Sequence, residues 1–456
     1  MRNYFYNKQR FLRHLTVAAI FAICLAGCEK FLDQKPDQKL AVPSTLDDLE
    51  ALLNNYETLN IRYPEAGEIA SDDFYVTDAT FGNLNDRDRN FYSWQKYDII
   101  GGDWSVPYRN IFNTNIILES LAEINSPEKE RADKTKGSAL FLRAFNHFAL
   151  AQLFCVPYNE TTAATDAGIP LRLRSDLSIT PTRATVAATY ESVIGDLKAA
   201  ARLLPDLPTA KYLPGKAAAY GLLARVYLSM RQYDDADVYA DSSLRLYHVL
   251  IDYNTIDTAA FAPFPKFNDE VVYDAATLVA IVLIQSRAKV DSVLYSMYDA
   301  NDLRKSAFFR EYGDGSHGFK GGYTGSTSPS LFTGIATDEL YLVRAECEAR
   351  KGAMASALDN INTLLVNRYR AGSFIPLNMT DAGELLDTIL TERRKELLYR
   401  ALRWTDLRRL NLEQGHAKTI YRKINNEVLT LPPGSPRYTF EIDRNSVNHS
   451  DLPQNP

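Results

Sequence analysis

Small residues at helical intervals set the tightest limit on what this chain can fold into. Tyr220, Leu223, Ala224 and Tyr227 stand in the order aromatic-x2-Leu-small-x2-Tyr, and Ala236 and Ala240 follow. Two helices cross closely only where side chains are small, and this is the spacing of a tetratricopeptide helix pair. Tyr341, Arg344, Ala345 and Glu348, with Ala357 and Ile361, repeat it more weakly. Leu140, Arg143, Ala144 and His147 repeat it more weakly still. The units lie far apart, so the chain is no uninterrupted solenoid. The spacing predicts a mainly all-α body, with tetratricopeptide-like helix pairs in one layer and long irregular insertions built on it.

Helical periodicity extends beyond the pairs. Leu46, Leu49, Leu52, Leu53 and Tyr56 recur behind Ser44 and Thr45, either of which can cap a helix that carries Asp47 and Asp48 in its first turn. Trp104, Tyr108, Ile111, Phe112, Asn115, Ile116 and Leu118 form another stripe. From Gly137 to Phe148 apolar residues occupy more than one face, as in a helix packed between neighbours; Pro157 stops it. Thr182 or Thr185 opens a helix carrying Tyr190, Val193, Ile194, Leu197 and Ala200, closed by Pro205. Ala275 to Ile284 reads as a buried strand or a short core helix. In Glu392-Arg393-Arg394-Lys395-Glu396 and Arg403-Trp404-Thr405-Asp406, apolar residues can face the core while charges take the other side, a charged helix face with internal ion pairs.

The amino end obeys a different logic. Arg2, Lys8, Arg10 and Arg13 precede the apolar run Leu15–Leu25, and Leu25-Ala26-Gly27-Cys28 follows with small residues at the exit. The run is too short to cross a bilayer, which takes about 20 residues. It resembles a bacterial lipoprotein signal, in which the cysteine is acylated and the peptide is cut before it. Residues 1–27 then form the signal peptide, 28–43 a polar tether, and 44–456 a single exported domain anchored through Cys28. Losing four basic residues takes the net charge from -6 to -10 (47 minus 57), and an acidic body argues against nucleic acid. Only Cys155 and Cys347 remain in the body. They read as two buried thiols, with a single bridge left open.

Motifs for chemistry were tested in turn. Ser286-Arg287-Ala288-Lys289 has S-x-x-K spacing without the companion motifs. No histidine pair forms H-E-x-x-H, and His147 reads as a helix-interface residue. Asn83, Asn85, Asp86 and Asp88 could offer oxygens to calcium, but Arg87 and Arg89 stand among them, and a solvated turn is favoured. No spacing picks out a carboxylate pair for glycoside hydrolysis. No catalytic residue, metal ligand or cofactor is therefore assigned. The irregular segments 60–103 and 251–335 are instead crowded with aromatics, whose flat rings can bury the apolar faces of sugars. Trp94, in an irregular stretch, leads the candidate ligand contacts, with Tyr92, Phe74, Tyr75, Tyr298 and Tyr323.

Taken together, the chain resembles the SusD/RagB family of outer-membrane nutrient-uptake lipoproteins. The resemblance rests on the lipobox with Phe31-Leu32-Asp33, Ser71-Asp72-Asp73, Trp104-x3-Tyr108-x2-Ile111-x3-Asn115, Arg143-Ala144-x2-His147-Phe148 followed by Phe154 and Pro157-Tyr158, and Glu392-Arg393-x2-Glu396-Leu397 with Arg403-Trp404-x-Asp406-Leu407-x-Arg409. Arg400-Ala401 departs from it, standing where the family usually shows an acid and a glycine. The resemblance implies a non-enzymatic, surface-exposed lipoprotein that captures a glycan or peptide and delivers it to a SusC-like TonB-dependent transporter. A lipid-anchored glycan hydrolase and a helical-repeat scaffold for proteins are the alternatives.

Overall fold

Helix neighbours follow chain order. The computed structural model describes residues 43–124 and 126–456; the expected signal peptide, Cys28 and the expected tether up to residue 42 lie outside the described residues. The principal helices are α1 Leu46–Leu53, α2 Gly102–Glu123, α3 Lys129–Phe154, α4 Val186–Leu203, α5 Lys216–Ser229, α6 Tyr233–Leu246, α7 Thr337–Arg350, α8 Met354–Leu365, α9 Ala382–Glu396, α10 Arg403–Leu410 and α11 Arg444–Ser450. Each helix from α2 to α6 packs on the next; α6 packs on α7, and α7 on both α8 and α9. The α6–α7 contact forms although residues 247–336 intervene. The helices thus make one continuous layer, and that long segment is an excursion from it.

Local chemistry sets the helix ends. Thr45 accepts a hydrogen bond from the Asp48 amide while the Asp48 carboxylate accepts from the Thr45 amide, a reciprocal cap. Thr185 caps α4 through the Ala188 amide. Ala217, Ala218, Ala219 and Ala224 of α5, Ala236 and Ala240 of α6, Ala345 of α7 and Ala357 of α8 are all fully enclosed, as the pair spacing requires. Leu52 of the first stripe is exposed instead.

Five two-stranded antiparallel ladders tie down the excursions: β1 Phe74–Tyr75 with β5 Lys289–Val290, β2 Ala167–Pro170 with β3 Arg183–Thr185, β4 Val271–Tyr273 with β8 Ile335–Ala336, β6 Phe309–Glu311 with β7 His317–Phe319, and β9 Ile420–Ile424 with β10 Glu427–Leu431. A Cβ on Gly221 of α5 would lie 2.6 Å from Ile335 Cγ2, so glycine there lets β8 lie against the helix. Asn425 and Asn426 join β9 to β10 at positive φ, which suits asparagine in a two-residue hairpin turn.

Two expectations need correction. Residues 60–103 are not simply irregular: short helices span Ala66–Ala70, Asp78–Gly82 and Asp86–Tyr92. Thr77 and Asn85 cap the last two through the amides of Thr80 and Asp88. Asp88 is itself buried and receives the Val282 amide, so it does not belong to a solvated turn. The charges of α9 and α10 do not lie on a solvated face either. Glu392, Arg393, Lys395, Glu396, Asp406, Arg408 and Arg409 are all buried. They pair inside the body: Arg304 with Asp302, Glu392 and Glu396 at 2.6–2.9 Å, Arg368 with Glu270 and Glu396 at 2.7 Å, and Arg409 with Glu346 and Asp406. Ala275–Ile284 gives isolated bridges at Ala276 and Thr277 and a 3-10 turn at Ile281–Leu283, with Val279 and Ile281 exposed. Cys155 and Cys347 are buried free thiols, and burial pushes Cys155 up to about 12.

Candidate functional site

The two aromatic-rich excursions meet at one place. β1 pairs with β5, setting Phe74 opposite Val290 and Tyr75 opposite Lys289, and the Asp291 amide donates to the Asp73 carbonyl. Alternation along a strand then sends Phe74 inward and Tyr75 outward. Phe74 is buried; Tyr75 is 40% exposed. The approach to β1 is clamped from far along the chain. Arg403 and Lys418 donate to the Asp72 carboxylate at 2.6 Å, and Arg394 donates to Asp73 at 3.0 Å and to the Asp72 carbonyl. Arg422 donates to the carbonyls of Ile69, Ser71 and Phe74. Burial alone would raise the Asp72 carboxyl, but Arg403 and Arg394 outweigh it and hold it well below the usual range.

The β6–β7 hairpin borders β5, the partner of this strand. Its tip, Tyr312-Gly313-Asp314-Gly315-Ser316, holds Gly315 at positive φ, and the Asp314 carboxylate accepts from the Ser316 amide and hydroxyl. Lys289 Nζ lies 3.7 Å from the centroid of the Tyr312 ring, and the Tyr312 hydroxyl donates to the Gln285 carbonyl. The Arg310 guanidinium lies 5.6 Å from Phe261, which is 59% exposed. Tyr295 stacks on His317 at 3.5 Å, beside Lys305. Partial burial, with the carboxylates of Asp314 and Asp291, raises the Tyr75 phenol. Behind the hairpin lies a narrow cleft of about 20 Å³, with Gln285 and hydroxyls of the loop from Thr324 to Ser330 in its walls. Phe319 and Tyr399, stacked at 4.7 Å, also line it, and among the described residues the buried Tyr399 hydroxyl has no hydrogen-bond partner. Rings, cations and hydroxyls therefore converge on one surface.

Of the six aromatics singled out in the sequence, this surface exposes only Tyr75. Trp94 is buried; its backbone turns back at positive φ and its indole Nε1 donates to the Ala70 carbonyl at 2.9 Å. Tyr92 is buried with Arg422 3.6 Å from its ring centroid and accepts the Val76 amide. Phe74 packs between Tyr92 and Tyr399. Tyr298 donates to the Lys395 carbonyl, and Tyr323 donates to Glu270 under Arg400. These five support the surface from within and are not on it. Tyr312, Tyr295, Phe261 and Arg310 carry it instead, while Lys289 is buried against the Tyr312 ring. The sequence held a cue for Tyr312: it stands just before a Gly-Asp-Gly turn, where a hairpin tip lifts side chains into solvent.

The acids with metal-like geometry are already neutralised. Carboxylate oxygens of Glu270, Asp338 and Glu396 lie within 4.8 Å of one another in the core. Arg368 bridges Glu270 and Glu396, and Arg400 pairs with Asp338 at 2.8 Å, so guanidinium groups occupy the place of a cation. His147 is buried in α3, and burial, with Arg143 nearby, lowers it to about 3, which keeps it neutral.

Comparison with known proteins agrees with this architecture. Residues 30–228 match a SusD-like profile described as starch-binding and associating with the outer membrane, and residues 290–450 match the profile of the SusD family. SusD-like protein P2 of Formosa agariphila is 24% identical over 521 residues, covering 96% of this chain and 98% of that protein. A SusD superfamily protein of Bacteroides thetaiotaomicron has a TM-score of 0.73 at 21% identity, covering 90% of this chain and 100% of its own. A SusD-like carbohydrate-binding protein of Bacteroides vulgatus has a TM-score of 0.71 at 20% identity, over 90% and 97%. The motifs that meet in the helical layer, the fold and both matched profiles agree: the chain belongs to the SusD/RagB family.

Proposed function

We propose that this protein captures glycans at the cell surface, held to the outer membrane by lipid on Cys28, and hands them to a SusC-like TonB-dependent transporter. The observation that carries the capture step is the junction of the two excursions. Tyr75, Tyr312 and Phe261 offer ring faces to sugar C–H groups, while the exposed Arg310 and Asp314 stand within reach of hydroxyls. The family profile described as starch-binding and the carbohydrate-binding neighbour support a glycan over a peptide. Among the described residues no helix is long and apolar enough to cross a membrane. Capture then needs a separate transporter, and the family resemblance supplies one.

Calorimetric titration of glycans into wild type and Tyr75→Ala/Tyr312→Ala tests the capture site. Loss of two stacking faces should weaken binding about tenfold or more, with melting unchanged at the exposed Tyr75. Unchanged affinity would move the site elsewhere, and release of shortened product would end the non-enzymatic reading. Affinity purification from native membranes tests the partner: a large outer-membrane barrel should come with the protein, and its repeated absence would remove the delivery step.

A further inference from the structure

A second cleft, sharing no lining residue with the glycan surface, lies between α2, the β2–β3 connection and α11 with Leu452 just after it. Its volume is about 410 Å³, within the range of small-molecule sites. Trp104, Tyr108 and Phe112, one turn apart on α2, form its aromatic wall, with the first two rings 4.8 Å apart. Leu177 and Ile179 of the connection face it; Leu177 is 75% exposed.

The wall is built. Asn115 donates to the Arg172 carbonyl at 2.9 Å, and the Ser175 amide donates to Glu119 at 3.0 Å. Arg172 ties the connection to itself through the carbonyls of Ile179 and Asp176. The rings are fixed as well: Trp104 Nε1 donates to Ser446, and the Tyr108 hydroxyl to the Pro170 carbonyl.

Charge decides what the cleft can take. Arg172 and Arg174 line it; Arg172 donates to the Ile179 and Asp176 carbonyls, and Asp176, close enough to interact with both, forms no direct ion pair with either among the described residues. Arg183 lies close enough to act on the Tyr108 phenol, and its own hydrogen bonds all go to backbone carbonyls. Of the nearby acids, Glu119 accepts from Ser175, and Asp176 accepts from Ser178 and is held below its usual range by those bonds and then by Arg174 and Arg172. Three guanidinium groups, Arg172, Arg174 and Arg183, thus outnumber the two carboxylates, Glu119 and Asp176, named beside this apolar cleft, and the excess positive charge suits an anion.

We propose that this cleft binds an amphipathic organic anion, with its apolar body on the Trp104–Tyr108–Phe112 wall and its carboxylate or sulfonate against Arg174 and Arg172. Calorimetric titration of the purified protein with 2-naphthoate and with its neutral partner 2-naphthamide tests this. Naphthoate should bind saturably and at least tenfold more tightly than the amide. Arg174→Glu should abolish that preference with the melting temperature unchanged, since the side chain is exposed and makes no contact that the fold needs. Phe112→Asp should weaken both ligands. Equal affinity for acid and amide, a preference that survives Arg174→Glu, or no binding at millimolar naphthoate would each overturn the proposal. So would glucuronate displacing naphthoate at equal affinity, because the apolar body would then not be what is recognised.

Discussion

Replacing Glu396 by alanine should cost this fold about 3–5 kcal/mol, because it strands part of a buried charge web. The Glu396 carboxylate is fully enclosed, accepting from Arg368 Nε at 2.7 Å and from Arg304 Nη1 at 2.9 Å. After truncation Arg304 keeps Asp302 and Glu392, and Arg368 keeps Glu270, so the lower half of that range applies. The compact unit runs from Thr45 to Pro456. At about 2.1 cal/mol/K per residue its unfolding entropy is about 0.9 kcal/mol/K, and the loss becomes a fall in melting temperature of about 3–5 °C. Burial alone would raise the Glu396 carboxyl, but Arg368 and Arg304 hold it below its usual range. Its contribution is therefore present above the ordinary carboxylate range and is lost as pH falls through the lowered folded value. Thermal denaturation followed by circular dichroism at pH 7 and at pH 3.5 measures both effects. A Glu396→Ala protein melting within 1 °C of wild type at pH 7 would refute the claim that these ion pairs hold the layer to its excursions.

Ala401 sits at φ +57°, where the family usually has glycine. The left-handed region costs a non-glycine residue about 1–2 kcal/mol and glycine loses about 0.5–1 kcal/mol in chain entropy, so Ala401→Gly should raise the urea midpoint slightly; a lower midpoint would show the strain to be relieved already. Burial, with the nearby Asp73 carboxylate, lifts Glu68 to about 8. The folded state then binds the extra proton between pH 4.5 and 8, so stability falls across that window. Glu68→Gln should flatten this decline, and parallel melting curves for both proteins at pH 5 and pH 8 would contradict it. Cys28→Ala should leave uncleaved or soluble protein in cell fractionation, and normal membrane retention of that variant would remove the lipid anchor from the proposal.

The helices were legible because their causes are local. A cap such as Thr185, a stop such as Pro157 and alanines one turn apart act within a few residues, and the structure places them as read. The ladders were not legible, because β1 and β5 are each two residues long and belong to segments more than two hundred residues apart. The charged run from Glu392 to Arg409 was misread for a related reason. Its partners Arg304, Glu346 and Arg368 come from other segments, and a helix face looks solvated until those partners are placed against it.

The same limit explains the choice of Trp94 over its neighbour Tyr75. An aromatic in an irregular stretch is exposed only if no distant group closes over it. Arg422, from β9, lies over Tyr92 and near Trp94 and bonds the carbonyls on either side of the turn into β1. That arginine converts a presumed surface cluster into core. Its arrival also fixes the strand that turns Tyr75 outward. Asp72 and Asp73, early in the chain, meet Arg403 of the late signature, and Arg394 within its span, at this strand. Two of the motifs that carry the family resemblance therefore brace the strand that bears Tyr75. What the surface binds is left to the residues they position, Tyr75 and the β6–β7 tip.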